Sequence, residues 1–262
     1  MSAATPDHKD LVRQEFTRQA EAYAANASLS DPARLARLVR HVAPSAEARV
    51  LEVATGPGYV AQAFAAACRE VIGLDLTAAP LAIAERRRQE LGLDNLRFQV
   101  GDAEHLPFAA GDFDVVVCRY AFHHFEDPGR VLGEMARVCR RGGSVVVEDL
   151  VVSEDPARGA YQNRYENLRD PSHTRAFPLS GLLGLFAASG LEVETVFTGA
   201  LTPEVEQWMA NAHTPPERAA QVRALIERDA AEDLSGARPY RENGALHFVQ
   251  RTAGVVGRKY RG

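Results

Sequence analysis

The chain has 262 residues, 46% of them hydrophobic and 7% aromatic, and its formal net charge is −5. This composition fits one globular domain, or a domain with a cap, and argues against disorder. Basic and acidic residues are interleaved along most of the chain, so there is no extended cationic face for a nucleic acid. No apolar run approaches the roughly 20 residues that cross a bilayer, so we expect a soluble protein without a membrane partner.

The three cysteines, Cys68, Cys118 and Cys139, are far apart and lack the spacing of metal ligands. The sequence shows no N-terminal hydrophobic segment for export. We therefore expect free thiols and a cytoplasmic protein.

Two helices are predicted first, "HKDLVRQEFTRQAEAYAAN" and, after Asp31-Pro32, "ARLARLVRHV". Between Arg49 and Glu148, helical patterns alternate with the apolar runs "RVLEV", "EVIGLDL", "LRFQV", "FDVVVC" and "GSVVVED". Such runs are typical of parallel strands covered on both faces, so the alternation predicts a doubly wound α/β sheet. A helix "LSGLLGLFAAS", a strand "LEVETVF", a polar helical segment over 203–235 and a strand near "ALHFVQRTAG" follow.

The helical segments outside this alternation have no place in the sandwich of sheet and helices. Because doubly wound folds bind ligands at the carboxyl ends of their strands, we expect these segments to form a cap over that edge. On this interpretation residues 1–44 are an N-terminal helical cap and residues 45–262 are the sheet domain, with inserted cap segments near 155–178 and 201–238.

A glycine-containing loop, "RVLEVATGPGYVA", joins the first strand to the next helix. Gly56 and Gly58 allow tight turning and close approach of a ligand, and the helix that begins near Tyr59 offers free N–H groups. Asp75 lies 17 residues after Gly58, at the end of the second strand, where a carboxylate can accept hydrogen bonds from ribose hydroxyls. The loop also satisfies the dinucleotide pattern G-x-G-x-x-G/A, so a nicotinamide cofactor is an alternative.

Two acidic residues help to distinguish between a nucleoside ligand and a nicotinamide cofactor. Glu52 precedes the turn, where its charge opposes a pyrophosphate but suits an ammonium group. Asp102, in "VGDAEHLPF" after the third strand, is placed to accept from an exocyclic amine such as that of adenine. An adenosine linked to an amino acid without phosphates is S-adenosylmethionine.

The ordered motifs "LEVATGPG", "GLDLT", "GDAEHLPF", "FDVVVCRYAFHHFEDP" and "CRRGGSVVVED" resemble those of the class I S-adenosylmethionine-dependent methyltransferases. The resemblance is dense from Arg49 to Leu150, and "VRQEFTRQAEAYAAN" resembles the first helix of the ubiquinone/menaquinone C-methyltransferase-like branch, the methyltransferase type 11 group. It implies a Rossmann-like sheet of seven strands, mostly parallel with an antiparallel last strand, and a helical cap.

The resemblance also implies cofactor-binding roles for individual residues. The methionine portion is expected to lie beside Glu52, Ala54, Gly56 and Gly58, with Cys118 and Arg119 on the same side. Asp75 is expected to hold the ribose with Leu76 beside the adenine, and Asp102 and the backbone of Ala103 to bind the adenine. Ala54 stands where the family usually has its first glycine, and its methyl group is compatible with binding if the backbone φ is negative.

His123 and His124 follow the fourth strand, close to the expected position of the transferable methyl group. A histidine there is a candidate general base for a substrate hydroxyl, amine or activated carbon, although one of them can instead pack beneath the loop. Further candidates for substrate contact are Tyr120, Asp149, His173 and Arg175, and an aromatic wall of Phe16, Tyr23 and Trp208. Solvated charges, helix caps and plain packing are the alternatives for these residues. No metal-ligand spacing is present, so no metal is predicted.

The sequence thus predicts an enzyme that methylates a small, partly aromatic molecule at carbon or oxygen, as a monomer or homodimer. Methylation at nitrogen or sulfur, and a non-methylating protein that binds S-adenosylmethionine or its product S-adenosylhomocysteine, are the alternatives. A dinucleotide-dependent oxidoreductase ranks last because Glu52 and "GDAEHLPF" oppose it.

Overall fold

The structure is a computed structural model that describes residues 7–260. The helices are α1 (His8–Ala24), α2 (Ala27–Ser30), α3 (Pro32–Val42), α4 (Tyr59–Ala65), α5 (Ala78–Glu90), α6 (Pro128–Val138), α7 (Pro156–Arg169), α8 (Leu179–Ala188), α9 (Val205–Asn211) and α10 (Pro216–Glu232), with a short 3-10 helix at Phe122–His124. The strands are β1 (Arg49–Val53), β2 (Glu70–Asp75), β3 (Leu96–Val100), β4 (Phe113–Arg119), β5 (Cys139–Val152), β6 (Phe177–Pro178), β7 (Glu192–Leu201), β8 (Tyr240–Glu242), β9 (Ala245–His247) and β10 (Gln250–Arg258).

The main sheet has the strand order β3-β2-β1-β4-β5-β10-β7, and the two-residue β6 pairs with the end of β5. Strands β1 to β5 are parallel, whereas β10 is antiparallel to both β5 and β7. The predicted mostly parallel, doubly wound sheet with an antiparallel last strand is therefore confirmed. The carboxyl ends of β1, β2, β4 and β5 meet at one edge.

Both faces of the sheet are covered. On one face α6 and α8 pack on the strands through residues such as Met135 and Phe186, and on the other α3 and α4 pack through Leu38 and Phe64. Close packing needs Gly254 in β10, because a Cβ there would lie 2.0 Å from the ring of Phe197. The three cysteines are buried and free.

Three local features differ from the sequence analysis. The strand expected near "ALHFVQRTAG" is divided into β9 and β10, and the break lets Phe248 turn into the apolar cluster of the cap. Strand β5 begins four residues before "GSVVVED". Helix α3 is part of the sandwich rather than the cap, because Leu38 and Val42 pack on the sheet.

Helices α1, α7 and α9 lie over the ligand edge, whereas α5 packs on β2 and β3. Helix α1 packs against α5, while α7, α9 and α10 enclose an apolar cluster that contains Tyr165, Trp208 and Phe248. Residues 1–6 of the predicted N-terminal cap lie outside the described residues, and the division into domains stays a prediction. Within residues 7–260, no helix combines the length and the apolar character that a membrane crossing requires.

Candidate functional site

Three adjoining cavities lie at the carboxyl edge of the sheet, under α1. The outer cavity, beside the ends of β2 and β3, has an empty volume of about 780 Å³; the loop cavity, beside the glycine loop, about 300 Å³; and the polar cavity, beneath α7 and α9, about 650 Å³, open solvent included. Tyr23 and Tyr120 line all three cavities, and Phe16 and His124 line the outer and polar cavities. The three cavities therefore adjoin one another and share parts of their walls.

The glycine loop has an unusual backbone at three positions, with φ of 56° at Ala54, 52° at Gly56 and 80° at Gly58. The condition that Ala54 keep a negative φ is therefore not met. Its backbone adopts the left-handed conformation that glycine tolerates, which costs an alanine about 1–2 kcal/mol. Ala54 and Gly56 line the outer and loop cavities. Gly58 lines neither; a Cβ on it would lie 2.7 Å from the ring of Phe98, so it permits packing.

Glu52 lies in the loop cavity and is 3% exposed. Its Oε2 accepts hydrogen bonds from the hydroxyl of Thr55 and from the N–H of Ala61, the latter at 2.7 Å. Burial raises the pKa of Glu52 to about 8 despite these bonds and the charge of Arg119. A cationic group in the loop cavity would favour the ionised form of this carboxyl.

Asp75 joins the end of β2 to the glycine loop. Its Oδ2 accepts from the N–H of Gly56 and its Oδ1 from the N–H of Thr77, both at 2.8 Å. Desolvation raises its pKa to about 6. Asp75 and the neighbouring Leu76 line the outer cavity, as expected from the sequence.

Asp102 and Ala103 also line the outer cavity. The Nζ of Lys9, from α1, lies 2.7 Å from Oδ2 of Asp102 and 2.7 Å from Oε2 of Glu104. Burial opposes ionisation of Asp102, but the hydrogen bonds from Lys9 and from the N–H of Glu104 outweigh it and lower the pKa. The ligand atoms of Asp102, Glu104 and His105 lie within 4.8 Å of one another, but the cation that both carboxylates contact is the ammonium of Lys9. The prediction of no metal stays a prediction.

Cys118 and Arg119 have different surroundings. Cys118 is fully buried in the core and lines none of the three cavities, because its position in β4 directs it into the apolar cluster under α6. Arg119 lines the loop cavity and donates through Nη2 to the carbonyl of Leu29 at 2.5 Å. Its Nη1 is buried without a hydrogen-bond partner among residues 7–260, so an acceptor at this point of the cavity would satisfy it.

His123 and Asp149 form a hydrogen-bonded pair at the polar cavity. The Nδ1 of His123 lies 2.6 Å from Oδ1 of Asp149, whose Oδ2 accepts the backbone N–H of His123 at 3.1 Å. Burial lowers the pKa of His123, but the charge and hydrogen bond of Asp149 outweigh burial and raise it. Because a carboxylate only accepts, the imidazole proton lies on Nδ1, and within residues 7–260 no hydrogen bond engages Nε2.

His124 is held differently. Its Nδ1 donates to the carbonyl of Ser172 at 3.0 Å, and its ring meets Phe16 edge-on at 5.0 Å between centroids. Burial and the neighbouring charge of His123 lower its pKa to about 4. His124 is thus a neutral imidazole at ordinary pH.

His173 and Arg175, from one predicted loop, separate in the structure. His173 lines the polar cavity and is fixed by Asn163, 2.8 Å from its Nε2. Arg175 is exposed, packs its guanidinium over the ring of Phe177, and lines none of the three cavities. The chain is anchored at Thr174, which binds the carbonyl of His123 through its N–H and hydroxyl, and this directs the next side chain outward.

Aromatic residues form a wall of the polar cavity. Phe16, Tyr23 and Trp208 all line it, and the rings of Phe16 and Tyr23 meet edge-on at 5.7 Å. Tyr120 adopts a φ of 54°, and its hydroxyl is buried without a partner in the part of the chain that the structure describes. Burial raises the pKa of Tyr120 to about 12.

Four residues that line these cavities were not selected from the sequence: Lys9, Glu166, Arg169 and Gln250. Polar side chains on helices and strands are ordinarily solvated, so nothing in their spacing marked them. The segment "RDPSHTRAF" did give a signal, as a possible substrate-anchoring loop with Asp170, His173 and Arg175; Asp170 and His173 line the polar cavity and Arg175 does not.

Comparisons with known proteins agree with this geometry. The family model described as a methyltransferase domain matches residues 51–147. The "Uncharacterized methyltransferase YcgJ" of Bacillus subtilis (strain 168) is 35% identical over 207 residues, which cover 79% of this chain and 82% of that protein. A demethylmenaquinone methyltransferase of Thermus thermophilus is 39% identical over 115 residues, or 43% of this chain and 50% of the enzyme. The crystal structure of YcgJ has a TM-score of 0.82 at 33% identity, covering 87% of this chain and 98% of the other.

The sequence match and the structural match to YcgJ cover 79% and 87% of this chain, far more than the glycine loop. The order of the strands is that of a doubly wound sheet, in agreement with this match. The chain belongs to the class I S-adenosylmethionine-dependent methyltransferases.

Proposed function

We propose that the protein methylates a hydroxyl oxygen, or a ring carbon activated by a hydroxyl, on a small and partly aromatic molecule, with His123 as the general base. The observation that carries the proposal is the His123–Asp149 pair at the polar cavity. A methyl acceptor that bears a proton needs such a base, which is worth roughly 10²–10⁴-fold in rate. An acceptor without a proton does not.

The outer and loop cavities suit S-adenosylmethionine. Glu52 complements its ammonium group, and the unpartnered Nη1 of Arg119 complements its carboxylate. Asp75 is placed for the ribose hydroxyls, and Asp102, Leu76 and Ala103 for the adenine. When bound, the cofactor supplies an electrophilic methyl group on a sulfonium.

The residues of the chain then position the acceptor and take its proton. Phe16 and Trp208 hold an aromatic ring in the polar cavity, and Tyr23 and Tyr120 line the passage to the loop cavity. Nε2 of His123 accepts the hydroxyl proton, and Asp149 stabilises the imidazolium that forms. Alignment of the reactants supplies most of the acceleration, up to ~7–11 kcal/mol in favourable cases.

The raised pKa of His123 and the low pKa of His124, about 4, assign the two roles. His123 is the stronger base, while His124 remains neutral and shapes the boundary between the outer and polar cavities. A relative is named demethylmenaquinone methyltransferase, and a quinone reduced to its quinol is a ring that carries hydroxyls, which supports this class of acceptor. Methylation at nitrogen or sulfur, and cofactor binding without transfer, remain the alternatives to be tested.

The experiment is mass spectrometry of the purified protein with methyl-labelled S-adenosylmethionine and a panel of quinols, phenols, amines and thiols. Calorimetric titration with S-adenosylhomocysteine runs beside it. We expect micromolar binding of the cofactor product and a labelled phenolic or quinol product. Label on amines or thiols alone would overturn the proposed acceptor, and cofactor binding without a product from any class would favour the non-methylating alternative.

A further inference from the structure

Opposite in character to the aromatic wall, a polar wall of the polar cavity is formed by residues of α7 and β10. These residues lie outside the residues 51–147 that the family model matches. Glu166 and Arg169 project from α7, and Gln250 lies at the start of β10. This wall therefore belongs to the part of the chain where methyltransferases that share one cofactor site differ.

Helix α7 carries a buried polar stripe. Gln162 and Glu166 lie four residues apart on one face of the helix, and Asp170 follows at the residue that caps its C-terminus. They are 2%, 3% and 3% exposed, whereas polar residues at this spacing usually face water. Buried polar groups at this density need partners, and the face they form is turned toward a cavity rather than toward solvent.

Two members of the stripe, Glu166 and Asp170, line the cavity. Asp170 accepts through Oδ1 from the N–H of Ser172 at 2.9 Å and from its hydroxyl at 2.6 Å. Glu166 accepts one hydrogen bond through Oε1, from Nε2 of Gln250 at 2.8 Å. Within residues 7–260 no donor lies at hydrogen-bond distance from its Oε2, although the amide of Gln162, one turn earlier on α7, is near enough to lower the pKa of the carboxyl.

Glu166 and the proposed base influence each other electrostatically. The charges of Asp149, Glu166 and Asp170 all favour protonated His123. Burial raises the pKa of Glu166, while the charges of Arg169 and His123 oppose this shift. The cavity thus presents a proton acceptor from the loop after β4 and a carboxyl from α7, with the aromatic wall of Phe16 and Trp208 beside them.

We propose that Glu166 is a specificity-determining residue that accepts a hydrogen bond from a second hydroxyl of an aromatic acceptor whose first hydroxyl is held by His123. The inference rests on the proposed function. An acceptor with one hydroxyl would leave Oε2 of this buried carboxyl without a hydrogen bond. Such a loss weakens binding about tenfold or more.

The test compares the affinities of 1-naphthol and of a set of dihydroxynaphthalene isomers for the protein saturated with S-adenosylhomocysteine, by calorimetry. Wild type is expected to bind the best dihydroxy isomer about tenfold more tightly than 1-naphthol. In Glu166→Gln the amide oxygen still accepts from Gln250, and the amide N–H group can only donate to the oxygen of the second hydroxyl, so a bond to a carboxyl oxygen is replaced by a weaker one between neutral groups. We expect this variant to lose most of the preference, and Glu154→Gln, at an exposed carboxyl bound to Ser180, to keep it.

A second readout does not depend on any acceptor. In NMR titrations the pKa of His123 should fall in Glu166→Gln, because one of the negative charges that favours its protonated form is gone. A purely structural role for Glu166 would lower thermal stability without removing the hydroxyl preference. Equal affinity of wild type for all probes, absence of binding, or an unchanged preference in Glu166→Gln would overturn the inference.

His123→Asn separates this inference from the proposed function. Unchanged methyl transfer in that variant would show that His123 is not the general base, and this would overturn the proposed function. Lost transfer in His123→Asn, together with an unchanged hydroxyl preference in Glu166→Gln, would overturn the role of Glu166 alone.

Discussion

The cofactor side and the cap side of the site hold their polar groups by different means. On the cofactor side, backbone N–H groups hold the two carboxylates at the glycine loop: Ala61 donates to Glu52, and Gly56 and Thr77 donate to Asp75. These contacts lie within the region that the family model matches. They follow from the path of the main chain, so most changes of neighbouring side chains leave them intact.

On the cap side, three pairs of side chains hold one another. His123 relies on Asp149, His173 on Asn163, and Glu166 on Gln250, each partner coming from another element. Such a pair changes whenever one member changes, and all three pairs include a residue beyond the matched region. The difference teaches that cofactor recognition is fixed by topology, whereas acceptor recognition is free to vary.

The largest effect on activity is expected on the cap side, from replacement of His123. Replacing it with Asn removes the base, and kcat/KM should fall by roughly 10²–10⁴-fold while affinity for S-adenosylhomocysteine stays unchanged. In wild type, kcat/KM should fall as pH drops through the pKa of His123, which lies above 6.5, because only the neutral imidazole accepts a proton. Steady-state kinetics across pH measure both.

The matched control is His213→Asn, at an exposed histidine with a φ of 49° that Asn tolerates. It should keep full activity. A loss of less than tenfold in His123→Asn would contradict the assignment of the base.

The next effect concerns the cofactor side, where Glu52 should make the affinity for S-adenosylhomocysteine depend on pH. Because its pKa is about 8, the carboxyl is largely protonated at neutral pH and must ionise to pair with an ammonium. The affinity for S-adenosylhomocysteine should therefore rise by up to about tenfold per pH unit below 8 and level off above it. Calorimetry in buffers of different ionisation enthalpy would detect the proton released on binding.

Glu52→Gln should remove most of this pH dependence. An affinity that still rises with pH in that variant would assign the dependence to another group.

The same carboxyl affects the stability of the protein without ligand. Since burial raises its folded pKa from 4.5 to about 8, its contribution to stability is complete below 4.5 and is lost as pH rises through 8.

A smaller effect concerns the contact between the two sides at Lys9, which ties α1 to Asp102 and Glu104. This pair is partly exposed, so Lys9→Met should accelerate dissociation of S-adenosylhomocysteine only about twofold to fivefold. Stopped-flow displacement measures the rate. Arg13→Met, in an exposed pair with Asp10 on the same helix, should leave it unchanged, and equal rates in both variants would show that Lys9 does not hold the helix over the ligand.

The smallest effect is at Ala54, where the backbone is strained. Ala54→Gly should raise the free energy of unfolding by about 0.5–1 kcal/mol, because relief of a penalty of 1–2 kcal/mol exceeds the entropy that glycine loses on folding. Urea unfolding measures it. Ala63→Gly, inside α4, should lower the free energy by about 1 kcal/mol, and a decrease of the same size at Ala54 would contradict the strain.

The same contrast explains what the sequence could predict. Strands β1 to β5 were located because buried parallel strands are continuous apolar runs, and once they are placed Asp75 and Asp102 must lie at one sheet edge. The division at Phe248 and the packing of α3 depend on contacts between distant segments, which periodicity does not report. The same holds after α7: the anchoring of Thr174 directs Arg175 away from the cavities, whereas Arg169 lines the polar cavity.

The position of β10 between β5 and β7 bears on how the protein is made. Strand β7 pairs with β10 and not with β5, so it has no place in the sheet until β10 has been synthesised, some fifty residues later. While the ribosome makes α9 and α10, β5 therefore ends the sheet with an open edge. Cofactor-side structure is complete before that point, whereas Gln250, and with it the wall that holds Glu166, arrives only with the strand that closes the gap.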